Sequence, residues 1–473
     1  MNVFEGIGRR PLRVMLHGNV CNNFYTIGKA LNEHSDIQAD LHLDEGELAN
    51  PVSNPASEDP QVATNPPPWL KVGRYMNLER PQDSPLVRLA ADYDLAIVSA
   101  YGPKFMAHAS IPWCFYSSGA DITIEPFWLR RMKDYRPHDW LPHVVAATIP
   151  EPMNDWLFGI GFERMREMRR FALATLRNTR NQADGIRRST LVLSTDIAPK
   201  VDAIRRLRLP VERAYYAYNP LVMQSERFVG ARAERPSWVG DDLTDAIRAG
   251  DFRVFMPSRL IFGSGHGDVV TGHGKRNDLF FEGFARFVHE GGGARSVLFL
   301  IDSVLCPDAE RARAIFREQG VEDRIVWIRK AGREPLTRTE MLYFYSLADA
   351  VADDFGAGWF GSCLLEGLSA GCPVITYADS TLKYYPWHPV LSTRDPSVIA
   401  QHLAGLRADT DARGRRAQDG VKWIRQFHSM RAGAQHWAGL IRRVLSGEIF
   451  REPAGDRKLR PYLDEALQGD AHG

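Results

Sequence analysis

The chain of 473 residues is poor in cysteine: Cys21, Cys114, Cys306, Cys363 and Cys372 are its five, and no two are spaced as CxxC. An odd, dispersed set argues against a disulfide framework or a zinc ribbon and fits reduced, buried thiols. No run of about 18 consecutive apolar residues is present, so no membrane-spanning helix is expected. The opening residues Met1 to Arg10 lack the apolar core of a signal peptide, which makes cytoplasmic residence the expectation. Nor is there an excess of one charge. The 59 Lys and Arg against 58 Asp and Glu leave a net charge of +1, which removes the global electrostatic case for a nucleic-acid partner. No internal repeat is apparent. Hydrophobic residues at 44% and charged residues at 25% are ordinary globular values and argue against disorder, collagen or coiled coil. The length exceeds what one core supports and points to two domains of roughly 200 residues each.

What is present is a series of short apolar runs separated by helical patterns. Leu12–Leu16 ends in His17-Gly18-Asn19 and leads into a helix expected over Phe24–Glu33. Leu95–Val98, Pro112–Tyr116 and Leu191–Ser194 follow, and then Phe252–Met256, Ser296–Ile301, Ile325–Ile328, Ala350–Ala352 and Val374–Tyr377. Runs this short and continuous fit strands buried on both faces of a parallel sheet. Phe280, Phe281, Phe284, Phe287 and Val288 form one stripe of a helix that stops at Gly291. From Glu45 to Pro85 the chain is rich in Pro, Asn, Asp and Ser and reads as an irregular surface excursion. The pattern predicts an α/β protein of two doubly wound parallel-sheet halves joined near Tyr218–Arg227, with ligands in the cleft at the carboxyl ends of both sheets.

The most telling segment is Asp353–Ile375. Phe360-Gly361-Ser362 forms a turn without bulky side chains at two of its positions, and the amides opening the next helix are unpaired donors at the positive end of its dipole, a place for phosphate. Glu366 falls in the first turns of that helix. The pattern from Leu364 to Val374 resembles the donor-binding signature of retaining GT-B glycosyltransferases of the large family four, a glutamate, seven residues and a second glutamate. Glu366 is the second. Counting back eight from it reaches Gly358, where the family carries its first.

The resemblance implies GT-B architecture: residues 1–222 as the acceptor-side Rossmann-like domain, 223–425 as the donor-binding one, and 426–473 as a helix crossing back, Gln426–Leu445, plus a polar tail. It also implies that Arg259, after the first strand of the donor domain, and Lys275, before its first long helix, hold a nucleotide pyrophosphate. Gly18, Asn19, Gly119, Phe360, Gly361, Ser362 and Glu366 complete the implied donor site. Ser117–Asp121 resembles a further family element in which Ser118 replaces a histidine. Asp121 is then either a hydroxyl-orienting or acid/base group, or the N-cap of a following helix.

The implied chemistry is transfer of a sugar from a nucleotide-diphosphate sugar to a hydroxyl acceptor, with retention and with no cofactor. Asp353-Asp354 is adjacent rather than spaced as Asp-x-Asp, so no metal is expected. A GT-B epimerase or phosphorylase, or a nucleotide-sugar-binding protein without turnover, are the alternatives. From Gly161 to Arg213 thirteen Lys and Arg face six Asp and Glu. That stretch is either a solvated helix face or a surface for peripheral contact with anionic membrane.

Overall fold

The computed structural model describes residues 10–50, 53–118, 120–123, 125–127, 177–209, 214–216, 233–262, 274–292, 295–356 and 358–448. The joining segment expected near Tyr218–Arg227, Gly119, the part of the basic stretch before Arg177 and the tail after Glu448 lie outside them. The same holds for most of the glycine-rich loop between Arg259 and Lys275.

Thirteen described strands form two sheets. The first runs β3-β2-β1-β4-β5-β6-β7, built from β1 (Leu12–His17), β2 (Ile37–Asp44), β3 (Leu70–Gly73), β4 (Leu95–Val98), β5 (Trp113–Tyr116), β6 (Leu191–Ser194) and β7 (Ala214–Tyr216). The second runs β10-β9-β8-β11-β12-β13, from β8 (Phe252–Met256), β9 (Ser296–Ile301), β10 (Ile325–Ile328), β11 (Ala350–Ala352), β12 (Val374–Thr376) and β13 (Leu391–Ser392). Every pairing is parallel, with β1 between β2 and β4 and β8 between β9 and β11. In each sheet the order reverses beside the first strand, and in open α/β sheets the crevice at that reversal takes the ligand.

Alternation along the strands divides each half into two apolar layers. Val14, Leu16, Leu95, Ile97, Cys114 and Tyr116 pack on one face of the first sheet, while Met15, Ala96, Val98, Trp113 and Phe115 pack on the other. In the second sheet Phe255, Phe299 and Val351 oppose Phe252, Val254, Leu298 and Leu300 in the same way. Burial on both faces is why these strands read as continuous apolar runs.

Four strands escape the sequence reading. β3, β7 and β13 have four, three and two residues and lie at sheet edges, where little apolar sequence is needed. β2 alternates apolar residues with Gln38, Asp40 and His42, yet Asp40 and His42 are buried: the His42 ring meets Tyr93 Oη at 2.8 Å, and Tyr93 donates to Asp40 at 2.8 Å. The excursion from Glu45 to Pro85 accordingly contains ordered elements, β3 and the short helices Glu45–Leu48 and Pro55–Glu58. The crossing helix starts later than expected. Gln426 and Phe427 end the helix Thr410–Phe427, the chain breaks at His428, and Ser429 caps Met430–Leu445. This last helix packs Met430, Trp437 and Ile441 against the first sheet's Val14, Leu16 and Tyr116. No helix among the described residues is long and apolar enough to cross a membrane.

Candidate functional site

At the switch point of the first sheet, β1 ends in a turn that needs its glycine. Gly18 has φ +92°, and a Cβ there would approach Ser99 O to 2.6 Å. Cys21 and Asn22 follow with left-handed backbone, and Ala100, after β4, has φ +50°. Non-glycine residues hold such conformations only when neighbours fix them. Two of these neighbours are sequence-predicted site residues. Asn19 is fully buried; its Oδ1 accepts from Tyr25 N at 2.9 Å, and its Nδ2 donates to Asn22 Oδ1 and Ser53 O, both at 2.8 Å. Asp121 accepts from the Ala100 and Ser118 amides, both at 3.1 Å, and from Ser118 Oγ at 2.9 Å. Asn19 therefore serves the turn and the start of the helix Asn23–His34 with its side chain. Asp121 lies within the helix Ala120–Thr123, not before it, so the N-cap alternative gives way to a carboxylate that ties two loops together.

The second sheet supplies the opposite wall. Arg259, past the end of β8, is exposed and makes no hydrogen bond or ion pair among the described residues. It lies close enough to Lys275 for the two charges to oppose each other. Lys275 is held by Asp354 at 2.5 Å, and the Trp359 ring centroid lies 5.3 Å from its ammonium. Asp353 beside it is buried, which pushes its carboxyl up to about 7 although Lys275 and the Leu364 amide oppose the shift. That amide belongs to the first turn of the helix Ser362–Ser369, so Asp353 already uses one of the donors expected for phosphate. Gly361 caps this helix with no atom within 4 Å of a Cβ placed on it, leaving the approach to Gly361 and Ser362 open. The Phe360 ring is fully buried against Tyr385, Trp423 and His428, so what this residue offers the turn is its backbone.

Glu366 is buried with both oxygens engaged. Arg338 reaches Oε1 at 3.0 Å, and Tyr345 donates to Oε2 at 2.8 Å. The same guanidinium meets Glu58 of the first half at 2.9 Å, so one arginine links carboxylates from both halves. Breaking such a buried group from one side leaves an uncompensated charge. A second link joins Asp196 of the first half to Lys383 and Tyr384 of the second, each at 2.7 Å. Cys21, on the strained turn of the first half, faces the charges of Arg259, Arg338 and Lys275. Gly358 has φ +82°, and a Cβ there would come within 2.9 Å of Ser380 Oγ and 3.1 Å of the Tyr377 ring, so a side chain at this position would be strained by the backbone and would have to displace Ser380 Oγ.

Sequence reasoning missed Arg338, Lys200 and Trp359. Arg338 had one local signal, the capping box of Thr337 and Glu340 that places it at the first helical position. Asp92-Tyr93-Asp94 is an Asp-x-Asp sequence, but Asp94 binds Arg10 and the Arg13 amide at the far, amino end of β1 and β4. Among the described residues no three His, Cys, Asp or Glu are grouped as a metal ion requires. In the described part of the basic stretch, Arg180 and Arg187 pair with Asp184, and Arg206 with Asp202.

No protein-family model matches the chain, and no curated protein matches it by sequence. Solved structures do match in three dimensions. HepE from Anabaena, in complex with UDP-glucose, superposes with a TM-score of 0.55 at 13% identity over 91% of this chain and 99% of that one. Sucrose-phosphate synthase from Thermosynechococcus elongatus gives 0.53 at 12% identity over 92% and 100%. A glycosyltransferase from Rickettsia africae gives 0.54 at 8% identity over 93% and 100%. With the two parallel sheets and their paired switch points, these likenesses define the class: the chain has the GT-B fold.

Proposed function

We propose that the protein is a glycosyltransferase that takes a sugar from a nucleotide-diphosphate donor and passes it to a hydroxyl acceptor, with retention and without a metal. The observation that carries this reading is that Arg338 of the second half pairs with Glu58 of the first at 2.9 Å while its charge, with those of Arg259 and Lys275, acts on the Cys21 turn. Arg259, unpaired among the described residues, and the open approach to Gly361 and Ser362 suit the departing pyrophosphate, whose developing charge is the main electrostatic task of such a transfer. Glu366, oriented by Arg338 and Tyr345, keeps lone pairs for the ribose hydroxyls. Asp121 acts through the Ala100 and Ser118 loops, as a positioning group for the acceptor side. HepE's complex with UDP-glucose supports a nucleotide-sugar donor by analogy of fold.

One feature favours a second reading, a nucleotide-sugar-binding protein without turnover: Gly358 supplies no carboxylate, and its φ of +82° disfavours any residue with a side chain there. Incubation with radiolabelled nucleotide sugars in excess chelator, scoring bound nucleotide and released diphosphate separately, decides between them. Transfer or hydrolysis of one donor is the expected result. Binding without release supports the second reading, and neither would remove both.

A further inference from the structure

Lys200 is the third residue of the helix Ala198–Arg206 and is 3% exposed. It donates one hydrogen bond, to Ser117 O at 2.9 Å, and has no ion pair among the described residues. Asp121 is the carboxylate that favours its charge, and burial outweighs it, pushing the ammonium down to about 8. An ammonium with two hydrogens unused is costly to bury unless something else completes its shell. Its neighbour across the halves is Trp359, whose ring centroid lies 5.5 Å from the ammonium and whose Nε1 is buried without an acceptor among the described residues. Lys275 approaches the same ring at 5.3 Å. Gly358, next to Trp359, adds no negative charge. Two cations from opposite halves and an indole N–H thus gather at one spot; Asp354 compensates Lys275, whereas Asp121, bonded to the Ala100 and Ser118 amides, makes no ion pair with Lys200, whose charge is the one left over.

We propose that Lys200 and Trp359 form a subsite for an anionic group, a carboxylate or phosphate carried by a sugar bound between the two halves. This rests on the nucleotide-sugar reading for its setting but not for its test. Lys200 is a specificity-determining residue here: it selects charged over neutral sugars and leaves the pyrophosphate contacts to Arg259 and Lys275.

The test is calorimetric binding to the full chain in two arms. UDP-glucuronate against UDP-glucose asks whether the anion belongs to the donor sugar; glucose 6-phosphate against glucose, with and without saturating UDP, asks whether it belongs to the acceptor. The wild type should prefer the charged sugar by about tenfold or more in at least one arm, as expected of a charge-assisted hydrogen bond. Lys200→Met should abolish that preference and leave the neutral sugar unaffected, and Trp359→Phe should reduce it while keeping the ring. No preference in either arm, or equal losses for charged and neutral sugars, overturns the proposal. Failure of UDP to bind while the Lys200-dependent preference persists would sink the nucleotide-sugar reading and leave the anion subsite standing.

Discussion

At Gly358 a single backbone angle decides what the site can contain. With φ +82° and Ser380 and Tyr377 against any Cβ, placing a glutamate there by Gly358→Glu should destabilise the protein by about 1–3 kcal/mol and lower the melting temperature without improving turnover. An unchanged melting temperature would mean that the loop relaxes freely. Asp353 offers a second residue-scale test. Its carboxyl is raised from 3.8 to about 7, so the folded state binds the proton more tightly than the unfolded chain. The stabilising contribution is complete below the unfolded value and is lost as pH rises through about 7. Denaturant titrations from pH 4 to 8 should show a falling component of stability that Asp353→Asn removes; parallel curves for the two proteins would contradict this. Of the site residues expected from sequence, Arg259 and Lys275 lie near one another, and Gly361 caps the helix that carries Glu366. Lys200 and Trp359 were illegible because each gains meaning only from a partner far along the chain.

Among the elements, strands buried on both faces were readable because apolar continuity is what such burial demands. Short edge strands were not, and β2 hid behind Asp40 and His42, whose polarity signals exposure unless Tyr93 is known to lie between them. The break at His428 was equally silent. That ring is fully buried against Phe360, Trp423 and Tyr385, and the tertiary packing, not a proline or glycine, ends the helix there. The crossing helix Met430–Leu445 carries a separate prediction. Trp437 is fully buried and meets Tyr116 edge-on at 6.0 Å, so Trp437→Ala should cost about 3–5 kcal/mol by cavity formation. Equilibrium unfolding would measure it, and a loss below about 1 kcal/mol would show that the helix does not anchor the first half.

For the whole molecule, the links Glu58–Arg338–Glu366 and Asp196–Lys383 cross between the halves that carry the two sheets. The general architecture followed from the order of apolar runs. These cross-links did not, because ion pairs between distant segments leave no trace in local sequence. The central claim is that the cations between the halves hold a nucleoside diphosphate. Calorimetric titration of UDP, GDP and ADP in excess chelator, into wild type and Arg259→Ala, tests it most directly. The account predicts that one of the three binds the wild type and that the variant loses about tenfold or more of that affinity, the share of a charge-assisted hydrogen bond. Binding of none, or equal affinity in both proteins, would contradict it.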